Sequence, residues 1–360
     1  MSKQESTLLV VPGGYGDGPA YRAAAVDRGQ HVIGASSVPN DPARRLYDEW
    51  VQVPHVSNRG FAAAIGELVK QCGVGEIHAC HHVVWFHLKD ILPAISPDVI
   101  LTRSRSNLQL EAEYADLRNR VTAAPVIPEL RNSSTLRPEL SPAESAGFLR
   151  AAFSIHGESY ETKLFAMTEA ARRMPPGDIV EIGCLFGRSA AYLGMLSHRY
   201  DLGSILCIDP WKKEETGQGV EILDAAGIIS ELQTRLAFEI NVAPYAFGRL
   251  NYIQATSRVG AKHYRPGLVV ETEMLGRTNY EGRIGLLHID GNHEYDHVSQ
   301  DAQTWIPHVK PGGWIILDDY EWDWGDGPRR VGDAFLRDNA ARIWTHFVAG
   351  HALFIQLKPE

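Results

Sequence analysis

Val180-Glu181-Ile182-Gly183-Cys184-Leu185-Phe186-Gly187-Arg188-Ser189 is the stretch on which the fold turns. A mostly β-branched run, Ile179–Ile182, leads into it, and a run of helical spacing, Ser189–Ser197, leads out. Such a run suits a strand buried on both faces of a parallel sheet. Gly183 and Gly187 let the chain turn tightly and let a ligand approach the backbone without meeting a Cβ. The helix behind them offers unpaired amides at its N-terminus to a carboxylate or phosphate. The next strand, Ser204–Ile208, runs into Asp209-Pro210-Trp211. An acid at that strand end can accept hydrogen bonds from both hydroxyls of a ribose. Three residues separate the glycines, unlike the dinucleotide pattern G-x-G-x-x-G, so a dehydrogenase-type site is the weaker reading.

Further along, His288-Ile289-Asp290-Gly291-Asn292-His293-Glu294-Tyr295 closes a strand read over Ile284–Ile289. A helix is expected over Val298–Val309, then a turn at Lys310-Pro311-Gly312-Gly313, and a strand, Trp314–Leu317, ending in Asp318-Asp319-Tyr320. Parallel strands bring their carboxyl ends to one edge of a sheet, where open α/β folds bind ligands. Asp290, Asp318 and Asp319 should therefore converge beside the glycine loop. Two carboxylates about 4 Å apart repel by roughly 4 kcal/mol at an effective dielectric of 20. Uncompensated, one of them takes up a proton. A divalent cation relieves the repulsion, and an all-oxygen donor set favours magnesium, manganese or calcium over zinc. The competing reading makes Asp290 and His293 caps of the following helix and the other two acids plain loop residues. His288, inside the strand, is expected to be a packed, hydrogen-bonded histidine.

The glycine loop, the acid one β-α-β unit later and the two acidic strand ends together resemble class I S-adenosylmethionine-dependent methyltransferases. The Asp290–Tyr295 stretch with Asp318-Asp319-Tyr320 is similar to the metal-dependent O-methyltransferases of the macrocin and antibiotic-sugar type. The resemblance covers roughly residues 144–360. It implies a Rossmann-like α/β fold with a seven-stranded sheet of five parallel strands and a closing antiparallel pair, Ile343–Val348 and Ala352–Leu357. It implies that Gly183 and Gly187 line the methionine end of the cofactor, with Glu181, Cys184 and Ser189 in the same loop. Asp209 would hold the ribose, Trp211 would flank the ribose or adenine, and Thr256 and Ser257 would lie by the adenine. Asp290, Asp318 and Asp319 would ligate Mg2+, with Asp290 also counted as catalytic, and His293 would be the general base that takes the acceptor's proton. Asn292 stands where that pattern often has an acid.

The first part of the chain alternates strands and helices: Thr7–Val11, Ala20–Arg28, His31–Ala35, Val51–Val53, Phe61–Gln71 and Glu76–Ala79. That alternation implies a small parallel sheet. Leu8–Gly18, Gly29–Ala35 and Tyr47–Pro54 resemble the Rossmann-like domain that precedes ATP-grasp modules, although no such module follows. A structural or oligomerising role is the expectation there. His78-Ala79-Cys80-His81-His82 has no second ligand pair at a fixed spacing and is read as a strand end and loop. Leu108–Val121 reads as a charged helix. Pro125, Pro128, Pro138 and Pro142, with Asn132-Ser133-Ser134-Thr135 between them, mark a linker. The expected domains are 1–125, a linker over 126–143, and 144–360.

Composition narrows the function. The chain has 360 residues, 44% of them hydrophobic and 22% charged, and a net charge of -9. That charge argues against a general nucleic-acid binder. The four cysteines, Cys72, Cys80, Cys184 and Cys207, form no C-x-x-C pair. No apolar run reaches the roughly 18 residues needed to span a bilayer. A cytoplasmic enzyme, expected as a homo-oligomer, is the simple reading. Trp211–Ala246, Tyr264–Tyr280 and Tyr320–Arg330 read as insertions around the site. Trp322 and Trp324, beside acids, suit stacking on a sugar. The expectation is Mg2+-dependent transfer of a methyl group from S-adenosyl-L-methionine to a hydroxyl of a sugar or glycosylated natural product. The alternatives are a metal-independent O- or N-methyltransferase of a small metabolite, and a non-catalytic cofactor-binding assembly module.

Overall fold

The computed structural model describes residues 7–104, 107–131, 136–212 and 231–360. The charged stretch 213–215 and the polar run 132–135 lie outside the described residues. The chain divides into two compact units, Met1–Asp116 and Leu117–Glu360. Among the described residues no helix is long and apolar enough to cross a membrane.

In the first unit, β1 (Thr7–Val11), β2 (Val32–Ser36), β3 (Glu49–Gln52), β4 (Val74–Ala79) and β5 (Ile100–Arg103) form a parallel sheet in the order β3-β2-β1-β4-β5. Helices α1 (Gly18–Asp27), α2 (Phe61–Cys72) and α3 (His82–Ile95) connect the strands, and α4 (Asn107–Thr122) follows β5. Two of these elements depart from the sequence reading. His82 opens α3 rather than a loop, and that helix buries Val84, Leu88 and Leu92, one residue per turn. The four-residue edge strand β5 leaves Ile100 63% exposed, so it carries no alternating pattern to read.

The second unit opens with α5 (Pro142–Phe153), started by a reciprocal cap between Ser141 and Glu144. Next come α6 (Glu161–Arg173), β6 (Asp178–Ile182), α7 (Arg188–Tyr200), β7 (Ile205–Asp209), α8 (Glu231–Ala246), β8 (Leu250–Gln254) and α9 (Ser257–His263). A two-stranded hairpin, β9 (Val269–Thr272) with β10 (Gly276–Asn279), occupies the expected insertion between Tyr264 and Tyr280. The chain ends with β11 (Ile284–Ile289), α10 (Tyr295–Trp305), β12 (Val309–Leu317), α11 (Gly327–Asp338), β13 (Ile343–Ala349) and β14 (Ala352–Leu357).

The large sheet runs β13-β14-β12-β11-β6-β7-β8. Five strands are parallel, and β14 is antiparallel to both its neighbours. This is the Rossmann-like seven-stranded sheet. One detail differs. Lys310–Gly313 lies inside β12, where pairing jumps from Ile284↔Val309 to Leu286↔Trp314 and bulges the strand. The turn residues are accommodated as an irregularity, not a separate turn.

Successive strand residues point to opposite faces. Ile179, Leu286, Trp314 and Ile316 join one core with Leu164, Met167, Tyr192 and Phe238. Val180, Leu287, Ile315 and Leu317 join the other with Val298, Trp305, Ile306 and Val331. Each such side chain contributes about 1.5–3 kcal/mol of burial. Both faces are covered, so the open positions of this sheet lie at its edge, beyond the strand ends.

Burial also places a titrating group in α10. Asp301 is 7% exposed, and its carboxyl is raised to about 6, chiefly by burial. Folding therefore favours the protonated form, so its unfavourable contribution is absent below pH 4, grows as pH rises from 4 to 6, and is constant above. Asp301→Asn should remove a stability loss of roughly 2–3 kcal/mol across that window, seen in urea unfolding at several pH values. Identical pH profiles for both proteins would refute this.

Candidate functional site

The carboxyl ends of β6, β7, β11 and β12 assemble the site. Gly183 follows β6 at φ +80° and Gly187 precedes α7 at φ +86°. The constraint on Gly183 is another stretch of backbone. A Cβ there would collide with the Asp290 carbonyl and the Gly291 Cα. Gly187 is held for packing, since a Cβ there would meet Val242 and Phe238 of α8. Asp290 N donates to Ile182 O at 2.8 Å, and Asp318 N donates to Ile289 O at 2.9 Å. The glycine loop, Asp290 and Asp318 thus stand on three adjacent strands at one edge. Three non-glycine residues near this edge take left-handed backbone angles: Leu185 at 43°, Trp211 at 45° and Asp319 at 49°. Such angles cost energy and concentrate at functional sites.

The acids converge on a residue that the motifs did not point to. Lys163, on α6, has a side chain only 2% exposed. Its Nζ donates to Asp318 Oδ2 and, at 3.3 Å, to Asp290 Oδ2. Burial opposes its charge, but the carboxylates of Asp290 and Asp318 outweigh that and hold the ammonium charged. Burial and the Asp318 charge raise Asp290 well above the usual carboxyl range. Asp318 is driven well below it, because Lys163 overrides burial. The pair therefore favours one ionised carboxylate, Asp318, and a proton on Asp290. The sequence carried one signal for Lys163: it sits on the face of α6 that also buries Ala166, Met167 and Ala170. A lysine on an apolar stripe needs a buried partner.

Two histidines flank the acids. His288 is fully buried, and its Nδ1 lies 2.9 Å from Glu181 Oε1. Its Nε2 is 3.7 Å from both Asp290 Oδ2 and Asp318 Oδ2, beyond hydrogen-bond range, and has no bonded partner. Burial alone would lower it, but the Asp318 and Glu181 carboxylates raise it to about 9. His293 Nε2 is 2.9 Å from Asp319 Oδ2, and its buried Nδ1 has no bonded partner. Its ring packs edge-on against Trp322, with centroids 4.8 Å apart. Neither Asp290 nor His293 caps α10; the N-cap is Glu294, whose N–H donates to Asn292 Oδ1 at 2.9 Å.

The cofactor-loop residues divide by exposure. Glu181 is fully buried against His288 and presents no surface to a ligand. Its place is beneath the acids, paired with the histidine. Cys184, Ser189 and Trp211 are buried as well. Trp211 donates from Nε1 to Leu185 O at 2.9 Å and packs on Phe238 and Tyr252. Asp209 is 6% exposed and accepts from Cys184 N (2.8 Å), Leu185 N (3.0 Å) and Trp211 N (2.7 Å). Its carboxylate ties the glycine loop to the end of β7, and burial raises it despite these bonds. Thr256 is the N-cap of α9, and Ser257 Oγ accepts from Trp305 Nε1 at 2.8 Å. Both are partly exposed. Beyond β12, Glu321, Trp322, Asp323, Asp326, Arg329 and His351 line an open cleft of about 450 Å³.

Residues 180–320 match the family model of a methyltransferase domain. Those residues of the chain therefore carry a methyltransferase domain. Among solved structures, the methyltransferase resembles the O-methyltransferase NovP at 14% identity over 71% of this chain and 100% of that one, with a TM-score of 0.41. It resembles CalS11, a TDP-rhamnose 3'-O-methyltransferase, at 14% identity over 70% of this chain and 96% of that one, with a TM-score of 0.35. It resembles an O-methyltransferase from Bacillus cereus at 12% identity over 76% of this chain and 96% of that one, with a TM-score of 0.31. No curated protein matches its sequence.

Removing one partner of a buried ion pair costs about 3–5 kcal/mol. Lys163→Met should therefore lower the stability of the chelator-treated methyltransferase by about 3 kcal/mol in urea unfolding. An unchanged midpoint would show that Lys163 is not the counter-ion of the acids. Gly183→Ala should cost a comparable amount, because the Asp290 backbone must move, and should weaken S-adenosylmethionine binding in calorimetry. Wild-type affinity and stability together would contradict the close approach described here.

Proposed function

We propose that this enzyme is a Mg2+-dependent O-methyltransferase that uses S-adenosylmethionine and acts on a hydroxyl of a sugar or glycosylated natural product. The observation that carries the reading is the placement of Asp290, Asp318 and Asp319 at the ends of two adjacent strands, with the glycine loop against Asp290. Two overlapping groups offer donor atoms to a divalent cation, Asp290, Asp319 and His293 within 4.8 Å of one another and likewise His288, Asp290 and Asp318, with Asp290 common to both and Asp318 and Asp319 in different groups. Charge supports the fit. Lys163 offsets Asp318, and a divalent cation would displace the proton from Asp290 and be matched by Asp290 and Asp319. A cation bound by Asp290, Asp318 and Asp319 would supply Lewis-acid polarisation of the acceptor hydroxyl.

The chain's own groups do the rest. Gly183 leaves the backbone beside Asp290 free of a side chain; the amides of Gly183, Cys184, Leu185 and Gly187 donate within the protein, so the first amides of α7 are left for the methionine end of the donor. Thr256 and Ser257 lie at the end of β8, on the adenine side. Asp319 accepts from His293 Nε2–H and leaves the lone pair on the buried Nδ1, which takes the hydroxyl proton once acceptor binding uncovers it. The freed oxygen attacks the sulfonium methyl in line, and the donor leaves as the neutral thioether. Trp322 packs edge-on against His293 and borders the cleft lined by Asp323 and Asp326, a setting that suits a polyhydroxylated acceptor.

Asp290→Asn and His293→Ala should each lower kcat by about 10²–10⁴ while S-adenosylmethionine affinity by calorimetry stays within about threefold. Full turnover in both variants would exclude the mechanism. One observation favours a second reading, transfer without a metal: Lys163 already holds two of the three acids. Exhaustive chelation followed by Mg2+ readdition separates them. Activity lost and restored supports the metal-dependent reading, and activity unaffected by chelation supports Lys163 as the sole cation.

A further inference from the structure

The N-terminal unit carries a second constellation of ligand-type side chains that the transfer chemistry leaves unused. Its sheet order reverses between β1 and β4, the place where open α/β sheets hold ligands at their carboxyl edge. Asp17 from the loop after β1, and His78 and Cys80 from the end of β4, bring an oxygen, a nitrogen and a sulfur within 4.8 Å of one another. From this geometry we propose that Asp17, His78 and Cys80 form a zinc site, with the fourth position left to solvent.

Three features of these residues point to a metal. His78 is 1% exposed and held from both sides. Tyr21 stacks on its ring at 3.7 Å, and its Nδ1 is 2.9 Å from Thr102 Oγ1. Thr102 can give its own proton to Glu76 Oε1 or Ile77 O, both at 3.4 Å, and accept from Nδ1–H. In that tautomer the Nε2 lone pair faces Asp17 Oδ1 at 3.1 Å, and a cation between them, with Thr102 as the supporting hydrogen bond, satisfies both atoms.

Asp17 is the second feature. It stands at the N-cap of α1, where an aspartate normally accepts from the helix amides. Here its side chain makes no cap bond and turns instead to His78 and Ser104. The third is the thiol. Cys80 is 3% exposed and lies directly beneath the loop, where a Cβ on Gly18 would come within 2.8 Å of its sulfur. Gly16, at φ +58°, and Gly18 give the loop the freedom to bring Asp17 closer. Tetrahedral zinc needs ligand atoms about 3.3–3.8 Å apart, a contraction of roughly 1 Å. The mixed oxygen, nitrogen and sulfur set favours zinc over magnesium or calcium. On binding, the Cys80 S–H bond breaks, a zinc–sulfur bond forms, and the proton goes to solvent.

The test uses the full chain, chelator-treated and then held in excess Mg2+ so that the carboxylate site of the other unit is occupied, and titrated with Co2+ as the optical probe. One equivalent should give a thiolate-to-cobalt charge-transfer band that Zn2+ abolishes. Cys80→Ser should lose the band, and Cys72→Ser should keep it. His78→Ala should weaken Co2+ binding at least tenfold, and Thr102→Val, which keeps every ligand and nearly the same shape, about tenfold. Circular dichroism confirms that each variant is folded; any that is not is set aside, and the unsubstituted chain and Thr102→Val then decide. Absence of the band in the unsubstituted chain, its persistence in Cys80→Ser, or unchanged affinity in Thr102→Val overturns the proposal.

Discussion

The close approach between the loop after β6 and the chain leaving β11 governs the arrangement of the site. Backbone meets backbone where Gly183 faces the Asp290 carbonyl, and no side chain fits between them. Parallel pairing of β6, β11 and β12 sets the strand ends level. The missing Cβ lets the glycine loop close the remaining distance. From that contact follow the position of Asp290 and the alignment of Asp318 one strand over.

Charge is managed beneath that edge in layers. Glu181 holds His288, His288 lies under Asp290 and Asp318, and Lys163 bridges the two acids from α6. None of these supporting groups reaches solvent. In a low-dielectric surrounding, each unpaired charge would be costly, so the network has to be satisfied as a whole. Asp209 works by the same logic on the other side of the loop, giving its oxygens to three backbone amides.

The glycine loop, the five parallel strands, the closing hairpin and both acidic strand ends were legible because each is a local pattern. Buried strands are short apolar runs, and the functional turns sit directly after them. The helix His82–Ile95 and the edge strand Ile100–Arg103 were harder to read. In the helix, His87 and Pro93 interrupt the apolar spacing. The strand is too short and too exposed to alternate.

The sequence by itself determined which residues lie at strand ends, and therefore which stand at the functional edge, because the pattern of a parallel sheet is written in consecutive residues. Only the tertiary structure decided what those residues touch. Glu181 turned inward to His288, and Asp209 turned to the loop amides. Lys163, 127 residues before Asp290, became the partner of the acids. Pairing across such distances is fixed by how α6 packs on the sheet, and one-dimensional spacing holds no record of which buried charge another will meet.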